Sequence, residues 1–294
     1  MCRNQEPTPA YHAFDLTIVS DFDLPLSERT VSESNVDVSI LKGVAGTENR
    51  EGPSVHFDGV ATVQMVDEST LIVEPDAEMN SSLQPFLLHN CLGWVLHRRG
   101  KAIFHAGAAN VDGTCVAFLG QSGVGKSSTV AAMYDQGYPV VSGDVLAVDQ
   151  SENIPSVIPS FPRLRIPSDT RSVMKEPHQP ANAAETTSSN WLDVADGFMH
   201  ETLPIRTIYL LEEPGGIDSP EIRRLESADP RPVENLLRHS LHYSVLRESD
   251  SVERHFQQCT QLAQNVSFRR LRRPNELKAL EEVVDTVVDD VRRL

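Results

Sequence analysis

Hydrophobic and polar positions alternate in short runs through the first quarter of the chain. Tyr11–Val19, Val36–Leu41, Val55–Phe57, Ala61–Val66 and Thr70–Val73 are rich in β-branched residues and broken by Gly, Asp, Glu, Ser and Asn. That pattern predicts strands, here a small antiparallel β-rich module over residues 1–80. The spacing then changes. From Ser82 to Arg99, Leu83, Phe86, Leu87, Trp94 and Val95 recur at helical intervals, with Ser82 placed to cap the helix and Gly100 to stop it. A tight pair follows, Ile103–Val111 and Thr114–Leu119. It is joined by Asp112-Gly113, a dipeptide suited to a hairpin turn with positive φ at both central residues.

The second strand of that pair runs into Gly120, and a helix is expected from Lys126 to Gln136. Pro139–Val141 reads as another strand ending at Ser142-Gly143-Asp144, and Val145–Val148 continues extended. Residues 151–192 are rich in Pro, Ser, Asn, Thr and Glu with little periodicity, and Lys175–Asn190 is expected to be a mobile loop. Order resumes with a strand at Ile205–Leu211 and a turn at Pro214–Gly216. A helix is expected over Arg231–Ser249 on Val233, Leu236, Leu237 and Leu241. A basic strand is expected over Val266–Arg273, and a last helix over Pro274–Arg293 on Leu277, Leu280, Val284, Val287 and Val291. No internal repeat is visible. The layout is α/β, with residues 81–294 forming the larger domain after the β module.

The chain has 294 residues, 39% hydrophobic, with 26 Lys+Arg against 42 Asp+Glu, so 26 − 42 = −16. A surface that negative repels polyanions, which argues against nucleic acid or anionic membrane as a general partner. No apolar run reaches the roughly 18 residues of a membrane span, and the N-terminal residues carry no apolar signal core. A cytoplasmic location is expected. The four cysteines, Cys2, Cys91, Cys115 and Cys259, are far apart and contain no C-x-x-C pair, so neither a thiolate metal site nor a disulfide framework is indicated. Only five lysines occur. An acidic, lysine-poor, arginine-using composition fits a high-salt host and a GC-rich genome equally.

Candidate chemistry concentrates after the hairpin. Gly120, Gln121, Ser122, Gly123, Val124, Gly125, Lys126 and Ser127 fit the phosphate-loop pattern G-x-x-x-x-G-K-[ST], with Ser128 following. Glycines let successive amides converge on phosphate oxygens, and the helix N-terminus adds partial positive charge. The lysine reaches the outer phosphates and the Ser127 hydroxyl binds Mg²⁺. Asp144 closes the strand after the loop's helix, where a carboxylate can hold Mg²⁺ or accept a proton from a hydroxyl. His105 lies fifteen residues before Gly120 on an apolar strand, and is a core residue or a functional one. The other histidines, His239 and His242 among them, show no metal-ligand spacing.

His105-Ala-Gly107, the Asp112-Gly113 turn, Gly120 to Ser127, and Gly137-Tyr-Pro-Val-Val-Ser-Gly-Asp144 resemble the catalytic domain of HPr kinase/phosphorylase. The match covers about 40 residues, His105 to Asp144. The resemblance implies a P-loop fold of the HPr-kinase-like, PEP-carboxykinase-like type. It implies that Lys126 and Ser127 handle ATP phosphates and Mg²⁺, that Asp144 is the base for a seryl hydroxyl, and that His105 assists. The chain departs from the family at Gly143, where the family has an aspartate, and at Ser128, where it has glutamate. Ser160–Pro167 replaces the family's Glu-containing glycine-rich signature. The wider layout resembles HPr-kinase-related proteins such as the lasso-peptide kinases. The expected activity is a Mg-ATP-dependent kinase acting on a serine-type hydroxyl of a peptide, protein or small molecule, with Arg163 and Arg165 as substrate or phosphate contacts or as surface charges. A true HPr kinase/phosphorylase and a non-catalytic nucleotide-binding regulator remain alternatives, and homo-oligomerisation is open.

Overall fold

The computed structural model describes residues 8–46, 52–77, 82–175, 191–226, 228–241 and 251–294. The expected mobile loop lies, apart from Lys175, outside the described residues. The molecule is mixed α/β with several sheets and divides into two compact units, one running to Lys101 and the other beginning at Ala102.

In the first unit β1 (Thr8–Ala13), β2 (Leu16–Ser20), β3 (Arg29–Val31), β4 (Val38–Lys42), β5 (Ser54–Phe57), β6 (Ala61–Met65) and β7 (Thr70–Pro75) form a seven-stranded sheet in the order β3-β1-β2-β4-β7-β6-β5. The expected antiparallel arrangement holds at both ends but not in the middle, where β2–β4 and β4–β7 are parallel. The helix before the hairpin is α1 (Leu83–Phe86), a π turn over Leu87–Cys91, and α2 (Leu92–Arg98). It belongs to this unit, so the boundary falls at Lys101 rather than after residue 80. The reason is packing: Phe86 meets Phe57 edge-on at 4.7 Å, and Arg99 Nη2 donates to the Asp37 carbonyl at 2.7 Å. Ser82 precedes the helix without a side-chain capping bond.

The second unit is built on β8 (Ala102–Val111), β9 (Thr114–Leu119), β10 (Val140–Ser142), β11 (Val145–Asp149), β12 (Ser156–Ile158), β15 (Leu203–Leu211), β16 (Glu221–Arg224) and β17 (Ser267–Arg272). β13 (Arg163–Arg165) and β14 (Trp191–Asp193) pair separately. The hairpin turn has positive φ at Asp112 (49°) and Gly113 (83°), as its sequence requires. β9, β15 and β17 run parallel, so the carboxyl ends of all three lie on one edge. The pairings β8–β9–β15–β12–β11–β8 close on themselves.

β8 is buried at eight of its ten positions because both faces of the sheet are covered. One face packs Phe104, Leu146, Ile208 and Phe268 under α5 (Arg231–Arg238) and α6 (Ser251–Asn265). The other packs Val116, Phe118 and Tyr209 under α3 (Lys126–Asp135) and α7 (Leu280–Val291). Each such buried apolar side chain contributes about 1.5–3 kcal/mol, set against the entropy of ordering the chain. A short α4 (Ser168–Val173) completes the helices.

α5 ends at Arg238 rather than continuing as the sequence pattern suggests. Ser240 bridges Phe104, and Leu241 donates to the Ile103 carbonyl, so the chain is captured by β8. The remainder of that expected helix lies outside the described residues. Among the described residues no helix is long and apolar enough to cross a membrane.

Candidate functional site

β9 ends at Leu119, and six residues later α3 begins at Lys126. Between them Gly123 and Gly125 take φ of 84° and 104°, backbone that only glycine adopts without strain. Gly125 is the N-cap of α3 and gives it no side-chain capping bond, so the first amides of the helix are left to an outside acceptor. Gln121, Ser122 and Gly123 are exposed, whereas Val124 is buried and anchors the loop.

Lys126 is 5% exposed, and its ammonium donates to the carbonyls of Gly120 at 2.8 Å and Gln121 at 3.0 Å. Burial lowers its pKa, and the nearby Asp144 carboxylate acts in the opposite sense. Two carbonyls hold the ammonium in the loop without neutralising it. Ser127 Oγ makes no hydrogen bond among the described residues. Ser128 Oγ instead shares a 2.8 Å hydrogen bond with Thr170 on α4, which directs that hydroxyl into the protein.

Asp144 follows β10 and is half-buried, and its carbonyl accepts from the Ala106 amide at 3.1 Å. That bond sets Asp144 beside His105. Burial first, and then the Lys126 charge, lower the His105 pKa, with Asp144 opposing them, so the ring is neutral at pH 7. The structure therefore gathers His105, Lys126 and Asp144 into one electrostatic neighbourhood.

Gly143 lies close against β13. A Cβ there would lie 3.0 Å from the Arg163 carbonyl and 3.1 Å from Leu164 Cδ2, so an aspartate needs β13 to move. Arg163 points elsewhere: it is buried, and Nη1 pairs with Asp193 on β14 at 3.0 Å. Arg165 is exposed.

Two residues of this neighbourhood escaped sequence reading. His239, at the end of α5, is 9% exposed, and its carbonyl accepts the His105 amide at 2.7 Å. Burial, aided by the charges of Lys126 and Arg238 and by His105 when it is protonated, pushes its pKa down to about 4. Arg273 follows β17 and packs on Gly125, where a Cβ would come within 2.2 Å of its Nη2. Neither has a motif, because each reaches the loop from a distant segment.

The residues present fit Mg-ATP in one specific respect: uncapped amides, a buried unneutralised ammonium and an unbonded Ser127 hydroxyl adjoin one another. No group of three or more His, Cys, Asp or Glu among the described residues could hold a metal alone. Mg²⁺ ordinarily takes one or two side chains together with phosphates and water, and Ser127 and Asp144 are the side chains that would serve.

No protein-family model matches the chain, and no curated protein matches it. Among solved structures it is similar to the Hpr(Ser) kinase/phosphatase from Coxiella burnetii, with 16% identity over 65% of this chain and 96% of that one, at a TM-score of 0.34.

Proposed function

We propose that the protein is a Mg-ATP-dependent kinase that phosphorylates a serine-type hydroxyl of a peptide, protein or small molecule. The observation that carries this is the buried Lys126 ammonium at the mouth of an uncapped glycine loop, sharing its electrostatic surroundings with Asp144 and His105. Bound Mg-ATP supplies the transferable phosphoryl group and a metal charge that offsets the negative oxygens. The loop amides and Lys126 bind and orient the phosphates. Ser127 and Asp144 would hold the metal, and Asp144 would accept the proton from the acceptor hydroxyl. His105, neutral at pH 7, hydrogen-bonds within the same space. Arg165, exposed where Arg163 is paired, is the arginine that would remain free to meet the acceptor.

A second reading, a nucleotide-binding regulator that transfers nothing, is favoured by the single carboxylate left when Gly143 stands beside Asp144. The experiment is incubation with Mg-ATP, alone and then with HPr, free serine and serine-containing peptides, read by mass spectrometry. A gain of one phosphate on a peptide or small acceptor supports the kinase. Nucleotide binding without transfer to any acceptor supports the regulator. Phosphorylation of HPr reversed by inorganic phosphate supports an HPr kinase/phosphorylase. Calorimetry on Lys126→Ala tests the loop itself: triphosphate binding is expected to disappear, and unchanged affinity would sink the proposal at its base.

A further inference from the structure

Four of the five residues from 269 to 273 are arginines, three on β17 and one just after it, and three of the four are matched by acids. Arg269 pairs with Asp290, Arg270 with Glu212, and Arg272 with Glu212 and Glu221. Arg273 is the exception. It is 5% exposed, and no carboxylate among the described residues pairs with it, in a chain with 42 acidic side chains. Its Nη1 donates to the Pro274 carbonyl at 3.1 Å and its Nη2 to the Val124 carbonyl at 3.2 Å, and its Nε is buried with no hydrogen-bond partner. Buried charges are ordinarily paired, because desolvation without a counterion is costly.

The guanidinium lies against Gly125. A Cβ at that glycine would meet Nη2 at 2.2 Å and Cζ at 2.9 Å, closer than real Cβ contacts, and Nε at 3.0 Å, tighter than most. Gly125 therefore serves the arginine as well as its own φ. Because Nη2 reaches a loop carbonyl, the charge bears on the loop through its backbone. The carboxyl ends of β9 and β17 lie on one edge of the parallel strands, so Arg273 ties the chain's last strand to the loop directly.

We propose that Arg273 is a positioning residue for polyphosphate: it clamps Val124 and Gly125, and its uncompensated charge leaves the loop an anion site whose counterion is the phosphate chain. The proposal rests on the nucleotide-binding part of the kinase reading. Arg273 does not contact substrate; it acts through the loop.

The test titrates Mg-pyrophosphate and Mg-ATP calorimetrically into wild type, Arg273→Met and Arg273→Lys, with thermal unfolding alongside. Replacing a buried ion pair by apolar side chains of similar volume is often neutral or stabilising, and Arg273 leaves no carboxylate orphaned when it is replaced. Arg273→Met is thus expected to keep or raise the melting temperature while weakening both ligands about tenfold or more, and Arg273→Lys to recover part of the affinity. Wild-type affinity in a folded Arg273→Met overturns the proposal, as does affinity lost only in step with melting temperature. If Arg273→Met does not fold, Arg273→Gln is judged by the same affinity criterion; if neither folds, the residue is structural and the proposal is overturned. Wild-type protein that binds both polyphosphates but transfers nothing removes the kinase reading and leaves the clamp standing. Wild-type affinity in Arg273→Met with transfer intact does the reverse, and a wild type that binds neither ligand overturns both.

Discussion

Lys126 bonds two carbonyls where an ion-paired lysine would have a carboxylate, and this difference decides what the residue can do. A carbonyl holds an ammonium in place but leaves its charge available, whereas a carboxylate would cancel it. Asp144 is near enough to be felt electrostatically, and its own role is read by Asp144→Asn. The amide keeps the size but cannot accept a proton. Nucleotide binding through the loop amides and Lys126 should persist, with a weaker Mg²⁺ dependence, while acceptor phosphorylation falls by ~10²-fold or more; near-normal transfer would move the base to His105. His239 offers a test by pH. Its folded pKa of about 4 lies below the ordinary histidine value of about 6.5, so the fold favours the neutral ring. Stability from this group is complete above about pH 6.5 and is lost as pH falls from there through about 4, because the unfolded chain takes up the proton first. Lys126 and Arg238, and His105 when it is protonated, press in the same direction. The loss by pH 5 should be on the order of 2 kcal/mol, and His239→Gln should remove it. Urea midpoints that fall equally steeply in both proteins would show that His239 is not the group responsible.

At the scale of elements, local chemistry was read correctly where it dominates and missed where packing dominates. The β8–β9 hairpin was legible because Asp112-Gly113 demands one turn type, and both residues have positive φ. Gly113→Ala should cost about 1 kcal/mol, seen as a lower urea midpoint with an unchanged slope. No change would mean the turn relaxes to another form. α6 was not legible. Its buried positions His255, Cys259 and Leu262 make a thin stripe among Glu253, Arg254, Gln257, Gln258 and Gln261, and only contact with the sheet makes that stripe a core face. β13 and β14 were hidden for the same reason. Each is three residues long and exists through its pairing with the other, including Arg163 opposite Asp193. The middle of the first sheet was misread as antiparallel because alternation reports which face is buried and not strand direction.

At the scale of the molecule, the glycine loop was legible because its residues are contiguous, while His239 and Arg273 were not because they return to it from segments more than a hundred residues further along the chain. The same scale raises a question of charge. The net charge of −16 means repulsion spread over the whole surface, opposed by local pairs such as Lys175 with Glu281 and Arg292 with Asp112. Those pairs are exposed, and exposed pairs are typically worth about 0–1 kcal/mol each. Salt weakens both effects, since the screening length is about 10 Å at 0.1 M. Acids outnumber bases by 42 to 26, so long-range repulsion should be relieved more than close pairs are weakened. The melting temperature at pH 7 should therefore rise by a few degrees between ~10 mM and ~0.5 M NaCl. KCl at equal ionic strength should give the same rise if screening is the cause. A flat or falling curve would show that the local pairs outweigh the net charge, and a rise in only one of the two salts would point to specific ion binding instead.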